Sequence, residues 1–229
     1  MNEFAKEYYK QLNSWSMTTN LGKFYSKVSR KLVKYHDILK DIFTCGTSLE
    51  KYVNSIDRSI STGSESTEYL ALEEMFKDVE INDNSRFVDI GCGKGRVLNF
   101  VHTKNKNCKV TGVEFNPEVA NFTKKWADKK DNVTIINGNA FDINCDDYDI
   151  LYFNRPFMED TFKKFSEKML AEIKHPVTVI FYVDEAMSKY FRDKPNWTRI
   201  KRGVLYKKGI IIHCFYPQVY SIVKFKPNE

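Results

Sequence analysis

The chain has 229 residues, of which 42% are hydrophobic and 29% charged, and this composition excludes a chain that is disordered throughout. Its longest apolar runs, such as residues 177–183, are much shorter than the roughly 18 residues that span a bilayer, so we expect no membrane segment. The 5 cysteines and 4 histidines show no metal-ligand spacing, and the first residues lack an apolar export segment. We therefore expect no metal site and a cytoplasmic protein with reduced thiols.

Basic residues are concentrated towards the two ends of the chain. The net charge is +6, and residues 186–229 carry ten Lys or Arg side chains against two Asp or Glu. Such an excess can attract an anionic partner such as a nucleic acid. Lysines that only keep a small protein soluble give the same pattern, so charge alone does not decide between the two interpretations.

Apolar residues in the first 60 positions follow a helical repeat. Between residues 21 and 42 they recur at alternating spacings of four and three, which predicts a long helix with one apolar face. We expect this face to pack on the rest of the chain. The alternative is a coiled-coil seam, which would make the protein a homodimer through this helix and not a monomer. The repeat comprises Leu21, Tyr25, Val28, Leu32, Tyr35, Leu39 and Ile42.

A second, shorter helix is predicted from the spacing of Leu49, Tyr52, Val53 and Ile56. We assign residues 1–60 to a helical N-terminal extension, which would act as a lid, and residues 61–229 to the main domain. The polar segment 61–67 reads as a loop before the first helix of that domain.

The main domain alternates strand patterns with helix patterns, which predicts an α/β fold with a doubly wound, mostly parallel sheet. A short helix is expected at residues 185–192. Lys207-Lys208-Gly209 separates two apolar segments and predicts a hairpin, so antiparallel strands should close the C-terminus. The predicted strands cover residues 86–90, 109–115, 133–137, 149–153 and 177–183.

The segment VDIGCGKGR, residues 88–96, is a glycine-rich turn between a strand and a helix. Asp89 precedes the glycines, and Glu114 ends the next strand, where a carboxylate can accept hydrogen bonds from both ribose hydroxyls. A dinucleotide site normally reads GxGxxG, but here the third glycine comes one residue early, and Asp89 would repel a pyrophosphate. The residues favour a ligand with an adenosine, a cationic amino-acid end and no phosphate, as in S-adenosylmethionine (SAM).

These motifs resemble those of the class I, Rossmann-like SAM-dependent methyltransferases across roughly residues 64–183. The resemblance implies a seven-strand-type sheet, SAM as the cofactor and methyl transfer as the reaction. Asn139 stands where the family commonly has an acid, and its side-chain oxygen can still accept a hydrogen bond from an adenine amine. The implied cofactor-binding residues are Asp89, Gly91, Cys92, Gly93, Gly95, Glu114, Phe115, Asn139, Ala140, Phe141, Asn154 and Thr67, with Ser66 and Tyr69 as lid residues beside Thr67.

The fourth strand of the main domain ends in FNRPF, residues 153–157, which resembles the Asn-Pro-Pro-aromatic motif of amino-group methyltransferases. The resemblance implies catalytic roles for Asn154, Pro156 and Phe157, with Arg155 in place of the first proline. It favours a nitrogen acceptor over an oxygen acceptor and leaves open whether the acceptor is a small molecule, a protein or a nucleic acid. The alternatives are that FNRPF is a loop that only flanks the cofactor, that the protein is an NAD-linked oxidoreductase, or that it is a SAM-binding scaffold without turnover.

Overall fold

A computed structural model describes residues 3–59, 63–184 and 187–227. The chain begins with three helices, α1 (Glu3–Leu12), α2 (Trp15–Thr18) and α3 (Asn20–Cys45). Helix α3 starts where the Thr19 hydroxyl accepts a hydrogen bond from the backbone of Gly22, and it ends at Gly46, whose φ of 75° is left-handed. The predicted long helix is therefore confirmed, with both ends fixed by local sequence.

The prediction that the apolar stripe of α3 packs on the rest of the chain is wrong. All seven residues of the repeat are exposed, for example Leu21 at 69% and Leu32 at 65%. The opposite side of the helix is buried, and it carries Asp37 and Asp41, which form ion pairs with the buried Arg96. Because an unpaired buried cation is very costly, this polar contact determines which side of α3 faces inward.

The predicted helix after residue 48 is also wrong. This segment is irregular, with one isolated bridge between Val53 and Ser64. Its short polar side chains accept hydrogen bonds from backbone N–H groups two residues further on, as Ser55 does from Asp57 and Asp57 from Ser59. Such local bonds compete with a helix. Residues 61 and 62 of the predicted loop lie outside the described residues.

A seven-stranded sheet forms the main domain, with the strand order β3-β2-β1-β4-β5-β9-β6. The first five strands in the chain pair in parallel, and β9 pairs antiparallel with β5 and β6, which confirms the predicted fold class. The strands are β1 (Arg86–Ile90), β2 (Lys109–Glu114), β3 (Val133–Asn137), β4 (Ile150–Asn154), β5 (Val177–Tyr182), β6 (Trp197–Leu205) and β9 (Gln218–Phe225). The predicted hairpin is the pair β7 (Lys207–Lys208) and β8 (Ile211–Ile212).

Helices cover both faces of the sheet, as a doubly wound fold requires. One apolar core contains Leu72, Leu98 and Trp126, and the other contains Phe165 and Met169. The expected short helix at 185–192 is a 3₁₀ turn at Met187–Phe191, and residues 185 and 186 lie outside the described residues. The helices are α4 (Tyr69–Met75), α5 (Arg96–Lys104), α6 (Pro117–Ala127) and α7 (Glu159–Glu172).

Within the described residues, no helix is long and apolar enough to cross a membrane. The same part of the chain contains no group of three His, Cys, Asp or Glu side chains arranged to hold a metal ion. The five cysteines are all free and buried.

Candidate active site

A cavity of about 750 Å³ opens at the carboxyl ends of β1, β2, β4 and β5. Open α/β sheets bind their ligands at this edge, and the volume is in the range of small-molecule sites. The glycine loop and the strand end at Asn154 form adjoining walls. The glycine-rich turn and FNRPF, which lie about 60 residues apart in the sequence, therefore face the same cavity.

The glycine loop has the backbone that its sequence predicts. Gly91 has a φ of 76°, and a Cβ atom there would lie 2.6 Å from the Cβ of Pro156, so only glycine fits beside the Asn154 strand end. Gly95 has a φ of 82° and faces Trp126 of α6. Gly93 and Gly95 do not line the cavity, so their part in cofactor binding would be to shape the loop.

Glu114 is buried at the end of β2 and already holds two backbone groups. Its Oε2 accepts a hydrogen bond from Gly93 N–H at 2.9 Å, and its Oε1 accepts one from Asn116 N–H at 2.8 Å. Burial raises the pKa of this carboxyl, and these hydrogen bonds oppose the rise. Each carboxylate oxygen can accept a further hydrogen bond, so the side chain can still bind ribose hydroxyls.

Asp89 is only 2% exposed and lies in the cavity wall. Burial, and next the nearby charge of Glu114, raise the pKa of Asp89 well above its usual range. Among the described residues, neither acid forms an ion pair with Lys, Arg or His. Two desolvated carboxyl groups beside one cavity suit a ligand that brings its own positive charge, and SAM carries both an ammonium and a sulfonium. The residues present therefore fit this cofactor.

Asn154 belongs to a short chain of hydrogen bonds at the end of β4. Its Nδ2 donates to Thr67 Oγ1 at 3.1 Å, and Thr67 Oγ1 lies 3.1 Å from Tyr152 Oη. This arrangement leaves the Asn154 side-chain oxygen available as an acceptor. Phe157 also lines the cavity, where its ring packs on Phe165 at a centroid distance of 5.3 Å.

Arg155 has a left-handed backbone, with a φ of 46°. Proline fixes φ near −65°, so this position could not hold the first proline of an Asn-Pro-Pro motif without a change of the loop. The likeness of FNRPF to that motif therefore covers Asn154, Pro156 and Phe157 and does not extend to the backbone at Arg155.

The opposite end of the cavity is suited to an adenine ring. Phe115 is 42% exposed there and presents an aromatic face. The Asn139 side-chain oxygen accepts a hydrogen bond from Phe141 N–H at 3.0 Å, so it caps a 3₁₀ turn and is partly occupied. Ala140 and Cys92 are buried in the same wall, and burial raises the pKa of the Cys92 thiol well above its usual range.

Of the three predicted lid residues, Ser66 and Thr67 line the cavity and Tyr69 does not. It is fully buried, and its hydroxyl donates to Asp41 at 2.9 Å. Lys94 of the glycine loop is buried as well and donates to the Lys51 carbonyl. Lys94 therefore joins the N-terminal segment to the glycine loop, whereas Tyr69 joins α3 to α4.

Arg96, directly after the last glycine of the loop, is the centre of this connection. Its guanidinium donates to both Asp41 oxygens, at 2.7 and 3.1 Å, and to Glu50 at 2.8 Å. The sequence analysis did not single out Arg96. A cation in the first turn of a helix opposes the helix dipole, and this is the sequence feature that could have indicated acidic partners elsewhere.

Glu68 is a second residue that the sequence analysis missed. It lines the cavity next to Thr67, with its Oε2 3.4 Å from Tyr182 Oη at the end of β5. It occupies the N-cap position of α4 but makes no capping hydrogen bond. Because Glu is a poor N-cap residue, an acid at this position could have indicated another role.

Comparison with known proteins agrees with this geometry. A sequence family described as "Methyltransferase domain" matches residues 81–213, which is more than half of the chain. The chain is 33% identical over 69 residues to (S)-tetrahydroprotoberberine N-methyltransferase of Eschscholzia californica. That match covers 29% of this chain and 20% of the relative, so the chain spans about a fifth of that protein's length.

Solved structures share the fold at low sequence identity. A methyltransferase from Pyrococcus furiosus superposes with a TM-score of 0.59 at 14% identity, covering 87% of this chain and 98% of that one. An RNA methyltransferase from Salinibacter ruber, solved with S-adenosyl-L-homocysteine (SAH), gives 0.53 at 15% identity, covering 72% and 95%.

The fold and the site together define a class I, Rossmann-like methyltransferase, and that prediction is confirmed. With the match over residues 81–213, the chain belongs to the methyltransferase domain family. The family match does not favour the oxidoreductase alternative.

Proposed function

We propose that the chain transfers the methyl group of SAM to a nitrogen atom of its acceptor. The observation that carries the proposal is one cavity in which two buried carboxyl groups, Asp89 and Glu114, adjoin the strand end at Asn154. The N-methyltransferase among the relatives supports nitrogen as the accepting atom. The cytoplasmic location and the division into an extension (1–60) and a main domain (61–229) stay predictions.

On the cofactor side, Glu114 would accept the ribose hydroxyls and Asp89 would attract the ammonium group. Phe115 would stack on the adenine, with Asn139, the Ala140 N–H and Phe141 along its edge. Gly91 keeps the loop close to the ligand because it adds no side chain. When bound, SAM supplies a methyl group on a positively charged sulfur, which leaves as a neutral thioether.

On the acceptor side, Asn154 would accept a hydrogen bond from the acceptor nitrogen and fix the direction of its lone pair. The hydrogen bond from Asn154 Nδ2 to Thr67 holds the amide in the orientation that this role needs. Pro156 keeps the strand end against Gly91, and Phe157 offers a ring on which a planar acceptor can stack. Orientation is the main contribution that such residues can make to a displacement.

The test has two stages. Calorimetry first measures SAH binding to the wild type and to Glu114→Ala, with the exposed Glu118→Gln as a matched control. Labelled SAM is then incubated with a cell extract and with an amine panel that includes (S)-tetrahydroprotoberberine, the compound in the relative's name. Label in a basic small molecule, protein or nucleic acid identifies the acceptor class. SAH binding without any transfer would instead support the scaffold without turnover, and no SAH binding would contradict the proposal.

We also propose that a second copy of the chain covers the exposed stripe of α3. The seven residues keep a strict heptad spacing, which is the pattern of a helix that pairs with another helix. With Phe24 and Phe43 they form a row of nine exposed apolar residues along α3. Exposed apolar patches of this kind, rimmed by polar side chains, mark interaction surfaces.

Lysines at positions 23, 27, 31 and 34 lie exposed on α3, so two copies would repel each other. We therefore expect added salt to strengthen the dimer, because it screens this repulsion. Sedimentation at low and high salt tests this with Leu32→Gln, and with Lys125→Gln as a control at an exposed position on α6. A wild type that stays monomeric at both salt concentrations would overturn the dimer. Its binding to anionic vesicles would then assign the stripe to a membrane surface.

A further inference from the structure

Glu68 lines the cavity at the side of β5. Strand β4 lies between β1 and β5, and Asn154 of β4 is directly paired with Tyr182 of β5. The Glu68 carboxyl is within 3.4 Å of the Tyr182 hydroxyl, so it lies over β5. The residues that suit SAM surround β1 and β2. Glu68 is therefore placed at the acceptor end of the same cavity, beyond Asn154.

The surroundings of Glu68 suit a cation. Tyr152, Phe157, Tyr182 and Phe215 line the cavity together with it, and aromatic faces attract positive charge. Among the described residues, none of the ion pairs includes Glu68, and the nearby cation Arg96 is bound by Asp41 and Glu50. A carboxyl group that is not ion-paired and lies beside aromatic rings in a cavity is a site for a cationic ligand.

Resting on the proposed function, we infer that Glu68 binds the acceptor as an ammonium ion and takes its proton before methyl transfer. The N–H bond of the ammonium breaks, its electron pair stays on nitrogen as the lone pair, and the proton moves to a Glu68 oxygen. The amine is then the nucleophile, which Asn154 orients. The acceptor class is thus a primary or secondary amine that is protonated in water, next to an apolar or aromatic group.

The charge state of Glu68 is compatible with this exchange. Burial raises its pKa to about 7, and the nearby acids Asp37 and Glu65 add to the rise, while Arg96 opposes it. The other titratable groups that face it are Tyr152, Tyr182 and Cys214, whose pKa values burial raises well above their usual ranges. At neutral pH the carboxyl of Glu68 can therefore both attract an ammonium and hold its proton.

The test uses benzyltrimethylammonium, a permanent cation that fits an aromatic site and cannot titrate. The protein is first saturated with SAH, so that the probe cannot enter the cofactor end beside Asp89. Calorimetry then compares the wild type with Glu68→Gln, with Glu68→Asp, and with Glu80→Gln as a control on the exposed surface. The loss of a charged partner should weaken probe binding about ten- to a hundredfold in Glu68→Gln and less in Glu68→Asp.

Two further measurements keep the test independent of folding and of turnover. In the wild type, probe affinity should rise between pH 6 and pH 8 as the carboxyl ionises, and Glu68→Gln should lose this dependence. The wild type should also prefer the probe to its neutral isostere neopentylbenzene. Equal affinity of the wild type and Glu68→Gln for the cation, or no preference over the isostere, would overturn the role of Glu68. Unchanged SAH binding in these variants would show that the cofactor end of the cavity is intact, while the labelling experiment tests methyl transfer itself, so that a failure of the Glu68 role and a failure of the proposed function are distinguished.

Discussion

The carboxylate of Glu114 is tied to the glycine loop by a 2.9 Å hydrogen bond from the backbone N–H of Gly93. One side chain thus both fixes the loop and faces the space that a ribose would occupy. Loss of two ribose hydrogen bonds should weaken SAM binding by about 1–3 kcal/mol in Glu114→Ala.

To separate the ribose contact from loop support, calorimetry should also use the 2′-deoxy analogue of SAH. The wild type should bind this analogue more weakly than SAH, whereas Glu114→Ala should bind the two compounds about equally. If the variant discriminates as well as the wild type, Glu114 only supports the loop.

Asp89 should make SAM binding depend on pH. Its raised pKa means that some unliganded protein holds a proton on this carboxyl, while a cationic ligand binds the ionised form. Affinity should therefore rise with pH until Asp89 is ionised, with proton release on binding. Asp89→Asn should weaken binding and remove the contribution of Asp89 to this release, measured by calorimetry in two buffers of different ionisation enthalpy. Proton release that is equal in both proteins would exclude Asp89 as the ammonium partner.

The ion pairs of Arg96 with Asp37, Asp41 and Glu50 should stabilise the fold. Arg96→Met leaves Asp41 buried without its cation, which typically costs about 3–5 kcal/mol, and Arg96→Met with Asp41→Asn should recover part of the loss. Buried acids without a cation have raised pKa values, so their protonation stabilises the folded state as pH falls. The single variant should thus be relatively more stable at pH 5 than at pH 8. Denaturant unfolding measures the free energy of unfolding of each variant at both pH values. If the losses caused by the two substitutions simply add in the double variant, Arg96 and Asp41 do not stabilise the fold as a pair.

The order of strands and helices from Arg86 to Tyr182 could be predicted because each strand is apolar and each turn has its own marker. Gly91 predicts a turn and Asn116-Pro117 predicts a helix start, and both predictions depend only on the local sequence. The side of α3 that faces inward could not be predicted in this way. It depends on Arg96, which lies more than 50 residues away, and hydrophobic periodicity alone indicates the opposite side.

The residues of the candidate site also divide into those that the sequence predicts and those that depend on distant contacts. Asp89, Glu114 and Asn154 end neighbouring strands, so strand order alone brings them together. Glu68 reaches the cavity only because the α3 contacts with Arg96 and Tyr69 fix the segment that leads into α4. The left-handed backbone at Arg155 could not be predicted from the motif either, because a motif specifies residue types and not dihedral angles.

Asn154 should determine the rate of transfer and not the affinity for SAM. It ends the strand beside β1, and its Nδ2 donates one hydrogen to Thr67, so the amide is held in place while its oxygen can accept a hydrogen bond from the acceptor. Loss of one orienting hydrogen bond commonly costs about 2–4 kcal/mol at a transition state, or roughly 30- to 1,000-fold in rate. Asn154→Ala should therefore bind SAH within a few-fold of the wild type while kcat falls steeply.

Two comparisons make this prediction specific. Phe157→Ala should mainly raise KM for a planar acceptor, because its ring contributes stacking and not orientation of the nitrogen. Thr67→Val removes the partner that fixes the Asn154 amide, so it should lower kcat in the same direction but less. Steady-state kinetics with the acceptor from the labelling experiment gives both constants. Near-normal turnover of Asn154→Ala would reduce FNRPF to a loop that flanks the cofactor and would remove the motif argument for a nitrogen acceptor.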